Sequence, residues 1–160
     1  MRAKYTAIVT MLTVLISVPL FSAPNPQQKI TIKGGGLARP IEIIDPQSLA
    51  RFFYGSGPGN GSWQGPSFVV DWPRGVAAEP PKELPAYDVE FLTSRAGLNT
   101  YRVTYVYDPV KQEGFVYLPG TTDPRYHENT WLILRSVEGN WFHSWSEWDV
   151  VAKPLLASFR

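Results

Sequence analysis

The sequence contains no cysteine among its 160 residues. This absence excludes disulfides, zinc–thiolate sites, iron–sulfur clusters, cysteine nucleophiles and the N-terminal cysteine of a lipoprotein. Charged residues make up only 18% of the chain, and the formal net charge is +1. A balance this close to neutral offers no basic surface to a nucleic-acid partner. Hydrophobic residues at 44% nevertheless supply a packed core, and the length favours a single domain.

A long uninterrupted hydrophobic run is also missing, and the nearest approach to one lies at the N-terminus. Arg2 and Lys4 precede a mostly apolar segment, residues 5–21, which Pro19 interrupts. This order is typical of a secretory signal peptide. The alternative is a retained membrane anchor, but a spanning helix needs about 20 apolar residues and this run is shorter. We therefore expect residues 1–22 to be removed on export, leaving a periplasmic or secreted chain without stable membrane insertion.

The remaining chain divides into a linker and one domain. The proline-rich segment 23–28 predicts a linker, and residues 29–160 a single globular domain. Apolar and polar residues alternate along much of this domain, which is typical of half-buried strands. The fold class expected is mainly β with short helices (α+β), as a twisted antiparallel sheet or a small sandwich. About eight short strands are predicted, at 30–32, 41–44, 67–72, 88–93, 101–107, 115–118, 131–137 and 141–145.

Two short helices are predicted from capping signals. Asp45 followed by Pro46 is an N-cap followed by proline at the first helical position. Ser146 and Asp149 have the spacing of a capping box, which predicts a helix that Pro154 ends.

Two antiparallel pairings follow from the turn residues between the strands. Segment 101–107 should pair with 115–118 across a turn at Asp108-Pro109. Segment 131–137 should pair with 141–145 across the tight turn Glu138-Gly139-Asn140.

No residue is predicted to be catalytic, and no metal or cofactor is expected. The glycine-rich loop 55–65 lacks the Lys-Ser/Thr pair of a phosphate-binding loop. His127 and His143 lack the helical spacing of metal ligands. A catalytic triad would combine Ser144 or Ser146 with His143 and Asp149. However, residues 143 and 144 point to opposite faces of a strand.

A tryptophan-rich stretch is the one feature that indicates a ligand. Trp141, His143 and Trp145 share a face of the predicted strand, at the period-two spacing of about 6–7 Å. Flat rings at this interval suit a carbohydrate- or peptide-binding platform. The alternative is that the rings belong to the core and to cross-strand pairs, which is the usual place of tryptophan in a β-domain. Both interpretations stay open, and the core is favoured, in particular for Trp141. The binding hypothesis depends chiefly on Trp145, at the end of the strand and next to the helix cap.

Three stretches carry a resemblance to a known group of proteins. They are ITIKGGGLARPIEIIDP, YVYDPVKQEGFVYLPG and the region around WLILRSVEGNWFHSW. They are similar to uncharacterised bacterial exported proteins, some of them classed as lipoproteins. That group brings no activity, cofactor or catalytic residue with it, and the missing cysteine implies a soluble exported form here.

The leading hypothesis is therefore a non-enzymatic binding or structural module of the cell envelope or exterior. Its candidate partners are a polysaccharide, peptidoglycan or an envelope protein. The alternative is a hydrolase or lyase acting on an extracellular polymer, with acids near the 55–65 loop. A cleft with two close carboxylates of raised pKa would favour the enzyme.

Overall fold

The alternating segments form one open antiparallel sheet in the computed structural model, which describes residues 27–52, 68–93, 99–127, 129 and 137–159. The order across the sheet is β2-β1-β3-β4-β5-β6. The predicted α+β class is confirmed, and the strands that the structure describes form a single sheet rather than a sandwich. The described elements are β1 (Gln27–Gly34), β2 (Ile41–Ile43), α1 (Pro46–Arg51), β3 (Ala86–Thr93), β4 (Asn99–Asp108), β5 (Glu113–Tyr117), β6 (Trp141–His143) and α2 (Ser146–Ser158).

One face of the sheet is apolar and packs against both helices. The register places Tyr87, Tyr105 and Val116 in one row across three strands, and all three are buried. Trp148 of α2 is fully buried, with its ring centroid 5.8 Å from that of Tyr105 and 6.1 Å from that of Phe91. Truncating a buried tryptophan costs about 3–5 kcal/mol, so this contact is a major link between α2 and the sheet. The same core includes Ile30, Ile32, Ile41, Ile43, Leu49, Phe52, Phe68, Val89, Tyr101, Val103, Leu118, Phe142, Ala152 and Leu156.

The predicted pairing across the turn at Asp108 is confirmed. β4 and β5 are antiparallel neighbours, with Tyr105 opposite Val116. The carboxylate of Asp108 accepts hydrogen bonds from the backbone N–H groups of Val110 at 2.9 Å and Lys111 at 3.1 Å. An aspartate stabilises a turn when its carboxylate accepts hydrogen bonds from the backbone amides that follow it. The local sequence was therefore sufficient to predict this turn.

The second predicted hairpin is described only in part. Residues 131–136 lie outside the described residues, and so does the predicted pairing of 131–137 with 141–145. Val137 belongs to the turn, where Gly139 adopts a φ of +84°, a conformation that favours glycine. The described partner of β6 in the sheet is β5.

The segment predicted as a strand at 67–72 forms only an isolated bridge in its described part. Val70 bridges Ser144 in antiparallel fashion. The chain then enters a 3-10 helix at Trp72–Arg74. The strand prediction is therefore wrong for the described residues 68–72, because the chain enters this helix at Trp72 and Pro73, the next residue, has no backbone N–H to donate to a ladder.

Residues 68–77, here named the edge segment, nevertheless run beside β6. The backbone N–H of Asp71 donates to the carbonyl of His143 at 3.0 Å. The N–H of Ala77 donates to the carbonyl of Trp141 at 2.8 Å. These bonds cover the outer edge of β6, which would otherwise present free backbone groups.

α1 begins as predicted. The side chain of Asp45 accepts a hydrogen bond from the backbone N–H of Ser48 at 2.8 Å, and Pro46 occupies the first helical position. Leu49 and Phe52 are buried in the core and fix the helix to it.

α2 differs from its prediction at both ends. Trp145 occupies the N-cap position without a side-chain bond, so Ser146 and Asp149 form no capping box. The helix also continues through Pro154, so the prediction that this proline ends it is wrong. Proline cannot donate the bond to the preceding turn. Burial of Leu156, only 3% exposed, offsets that loss.

The predicted signal peptide 1–22 and the 55–65 loop lie outside the described residues. β1 begins at Gln27, so the last two residues of the predicted linker 23–28 belong to the sheet. Neither helix in the described ranges has the length and apolar character needed to cross a bilayer.

Candidate functional site

The face of the sheet opposite the helices is largely polar and carries two of the three residues that the sequence singled out. Phe142 is buried in the core, so Trp141 and His143, its neighbours on β6, point to the other face. Further along this face, a guanidinium nitrogen of Arg102 lies 2.8 Å from a carboxylate oxygen of Glu90. The β5–β6 end of this polar face is the candidate site.

Trp141 and Tyr117 form a pair of aromatic rings at this end. They lie opposite each other across β6 and β5, with ring centroids 5.3 Å apart and planes inclined by 43°. Both are partly exposed, and neither packs against the main core. The next residue in the same row is Thr104 on β4, whose hydroxyl accepts a hydrogen bond from Arg125 at 2.6 Å. The row therefore presents two rings and, beside them, a charged donor.

Trp145 lies on the helix side of the sheet instead. β6 ends at His143, and the ring of Trp145 packs edge to face against Phe52, 6.1 Å between centroids. The ring of Phe52 in turn contacts that of the buried Trp148, with 5.1 Å between the centroids. The face shared by Trp141 and His143 therefore does not include Trp145, contrary to the prediction. The reason is that β6 ends at His143 and the chain turns there to begin α2.

His143 belongs to a charged cluster with Glu113 and Arg74. Nδ1 of His143 lies 2.8 Å from Oε1 of Glu113, and Nη2 of Arg74 lies 2.6 Å from the same oxygen. Arg74 comes from the edge segment and is half exposed, whereas the other two side chains are mostly buried. The imidazole also lies against the ring of Phe115, with 5.8 Å between centroids.

The carboxyl group of Glu113 is ionised at neutral pH. Burial raises its pKa, but the hydrogen bond and charge of Arg74 and the charge of His143 outweigh burial and leave the pKa lowered. A carboxylate has no proton to donate, so Nδ1 of His143 must be the donor in their hydrogen bond. In the neutral imidazole this leaves Nε2 as a hydrogen-bond acceptor.

A second polar cluster surrounds Asp149 on the helix side. One carboxylate oxygen accepts hydrogen bonds from the hydroxyl groups of Tyr105, at 2.8 Å, and of Ser144. The other accepts from the backbone N–H of Gly114 at 3.2 Å. Burial raises the pKa of Asp149, and these three hydrogen bonds oppose that rise only in part.

The two clusters keep Ser144 and His143 apart. The hydroxyl of Ser144 is bound to Asp149 on the helix side, whereas the imidazole of His143 is bound to Glu113 on the polar face. A triad requires the nucleophile and the base to be within hydrogen-bond reach of each other, which this arrangement does not provide. Within the described part of the chain, Asp149 is the one carboxyl whose pKa is raised, so no pair of such acids occurs there.

Metal ligands are likewise not brought together among the described residues, which contain no group of three or more histidine, cysteine, aspartate or glutamate side chains able to hold an ion. His127 is exposed, and its ring contacts that of Tyr126 at 5.5 Å. His143 is instead mostly buried and bound to Glu113. The two histidines thus occupy separate surroundings.

Comparison of the chain with protein-family models, curated proteins and solved structures finds no match. The resemblance to exported proteins therefore stays a prediction.

Sequence reasoning missed Tyr117, Glu113 and Arg74 as members of this site. Alternation along β5 places Glu113 and Tyr117 on one face, so an assumed β5–β6 register could have brought Tyr117 to Trp141. Arg74 carried no local signal, because it reaches Glu113 from the edge segment, which pairs with a strand distant in sequence.

Proposed function

We propose that this chain is a non-enzymatic binding module that recognises a polysaccharide of the cell envelope, peptidoglycan included, through Trp141 and Tyr117. The observation that carries the proposal is the position of these two partly exposed rings, side by side and outside the core. Tryptophan and tyrosine combine a large apolar face with a polar end, which suits a ligand with both characters. A sugar ring has apolar C–H faces and a rim of hydroxyl groups.

Polar groups that could bind those hydroxyl groups stand near the aromatic pair. On one side are His143, Glu113 and Arg74. On the other is Arg125, whose guanidinium is fixed by Asp123 through bonds of 3.0 and 2.6 Å. Binding sites commonly combine an apolar surface with a few fixed polar groups that orient the ligand. Both kinds of group are present within this one face.

The competing interpretation, that the tryptophans are core residues, applies to Trp145 rather than to Trp141, which is the reverse of the expectation from the sequence. Trp145 packs against the core through Phe52, whereas Trp141 contacts Tyr117 on the polar face. The two residues are therefore matched probes. Removing the indole of Trp145 should lower stability, and removing the indole of Trp141 should weaken binding.

Retention on insoluble peptidoglycan and on polysaccharide resins, with a melting curve for each variant, tests the proposal. We expect W141A to melt close to the wild-type temperature and to lose retention, and W141F to recover it in part. W145A should melt at a lower temperature, while its folded fraction is still retained. A W141A variant that is retained as well as the wild type overturns the proposal.

We also infer that the protein acts after export, in the periplasm or outside the cell. The support is the order of positive, apolar and small residues over 1–22. Cleavage after Ser22 is favoured and makes Ala23 the first residue, whereas cleavage after Ala23 would make it Pro24. Intact-mass analysis of the exported protein measures this directly. A membrane-bound form that still carries Met1 contradicts the inference.

A further inference from the structure

A groove lies between α2 and the corner where β2 leads into α1. Its volume is about 350 Å³, within the range of about 300–1,000 Å³ that is usual for small-molecule pockets. Its walls are mainly aliphatic. They are formed by Ile43, Ile44, Val150, Val151, Pro154 and Leu155.

Two of these wall residues are unusually exposed for their type. Ile44 is 66% and Val150 70% exposed, and they are two of the four large hydrophobic residues that stand exposed in the described part of the chain. The other two, Val76 and Val110, do not line this groove. Leaving aliphatic groups in water on both sides of a groove is unfavourable, and an aliphatic ligand between them would relieve that cost.

The rim of the groove is acidic. Glu42 and Asp45 line it, and the lining that the structure describes contains no lysine or arginine. Lys29 contacts Glu42 at 2.8 Å from β1. Asp45 is fully charged at neutral pH, because hydrogen bonds from Ser48 lower its pKa.

α2 places a third carboxylate beside the same wall. The exposed Glu147 precedes Val150 by three positions and Val151 by four, so the three residues share one side of the helix. These three carboxylates outnumber by one charge the cations that the structure describes beside Glu42 and Asp45, which are Lys29 and Arg51. This excess favours an apolar ligand that carries a positive charge over one that carries a negative charge.

We infer that this groove binds an amphiphilic cation, with the aliphatic chain between Ile44 and Val150 and the ammonium group at the acidic rim. The inference does not depend on the proposed polysaccharide site. The groove adjoins β2 and the aromatic pair lies on β5 and β6, at opposite ends of the sheet order. Five strand spacings separate β2 from β6, which is about 24 Å.

Titration of the isotopically labelled protein with octylammonium, followed by amide chemical shifts, tests the inference. We expect saturable shifts at Ile43, Ile44 and Val150. Octanoate has a matching chain and the opposite charge, and it should bind several-fold more weakly, because charges that are exposed to water change affinity only modestly. Equal binding of the two probes, or no saturable shift with octylammonium, overturns the inference.

Variants at exposed wall positions give a second, independent measurement. V150S and I44S should each weaken octylammonium binding by about tenfold, because each removes aliphatic contact area. V110S is the matched control, since Val110 is 90% exposed and lies elsewhere, and its affinity should equal that of the wild type. Wild-type affinity for octylammonium in both V150S and I44S refutes the assignment. Concentration-dependent shifts at the groove without any probe would assign it to a second copy of the chain and also refute it.

Discussion

Nδ1 of His143 and Nη2 of Arg74 both contact Oε1 of Glu113, at 2.8 and 2.6 Å. This single oxygen therefore joins β6, β5 and the edge segment on the polar face. Since the contact depends on an ionised carboxyl, the stability of this end of the sheet is coupled to the protonation of Glu113.

Replacing Glu113 with glutamine should destabilise the protein more at neutral than at acidic pH. Its folded-state pKa is lowered from the usual value of 4.5, so its contribution is present above that value and is lost as the pH falls through the folded-state pKa. We expect E113Q to cost about 1 kcal/mol at neutral pH, and the difference to shrink below about pH 4.5. Urea denaturation of both proteins across this range measures it. A difference independent of pH contradicts the assignment.

Replacing Asp149 with asparagine should give the opposite pH dependence. Burial raises the folded-state pKa of Asp149 above 3.8, so the folded protein holds this proton more tightly than the unfolded chain does. Its contribution to stability therefore falls as the pH rises from the unfolded-state to the folded-state pKa. The stability of the wild type relative to D149N should be greatest near the lower end of that interval. If the relative stability instead increases with pH, the carboxyl is not the buried acid described above.

Replacing Gly114 with alanine should destabilise the fold through collision. A Cβ at this position would overlap the carboxylate of Asp149 and the hydroxyl of Ser144, and would lie 2.8 Å from a ring carbon of Tyr105. We expect a loss of about 3 kcal/mol in chemical denaturation. The control is G36A, where a Cβ meets nothing within 4 Å and only the φ of +82° is unfavourable, at about 1 kcal/mol. Equal losses in the two variants would contradict the close packing at Gly114.

Replacing Pro154 with alanine should stabilise α2. The substitution supplies a backbone N–H that can donate to the carbonyl of Val150, and it removes the clash of the proline ring with that carbonyl. We expect a gain of about 1–3 kcal/mol, measured as a higher melting temperature and a larger urea midpoint. An unchanged melting temperature would show that the helix already relieves both costs at Pro154.

The parts of the fold that could be predicted are those set by neighbouring residues. Alternation in β4 and β5 was sufficient because one face of each strand is buried and the turn at Asp108 fixes the register. The start of α1 was predictable for a similar reason, since the bond from Ser48 to Asp45 spans three residues.

The parts that could not be predicted depend on residues far apart in the sequence. The spacing of Ser146 and Asp149 predicted a capping box. Asp149 instead accepts a hydrogen bond from the hydroxyl of Tyr105, which lies 44 positions earlier in the sequence. Pro154 is tolerated within α2 because Leu156, two positions later, is buried in the core. Neither the hydrogen bond to Tyr105 nor the burial of Leu156 can be predicted from neighbouring residues. The aromatic pair of the site likewise depends on the β5–β6 register that brings Tyr117 to Trp141.

The place of Trp148 in the chain has a consequence for synthesis. The aromatic side chains of Phe52, Phe91 and Tyr105 all contact this one indole, which enters last as the chain is translated. These three side chains are not fully enclosed by apolar groups until residue 148 has left the ribosome. The earlier residues alone therefore cannot complete the native core.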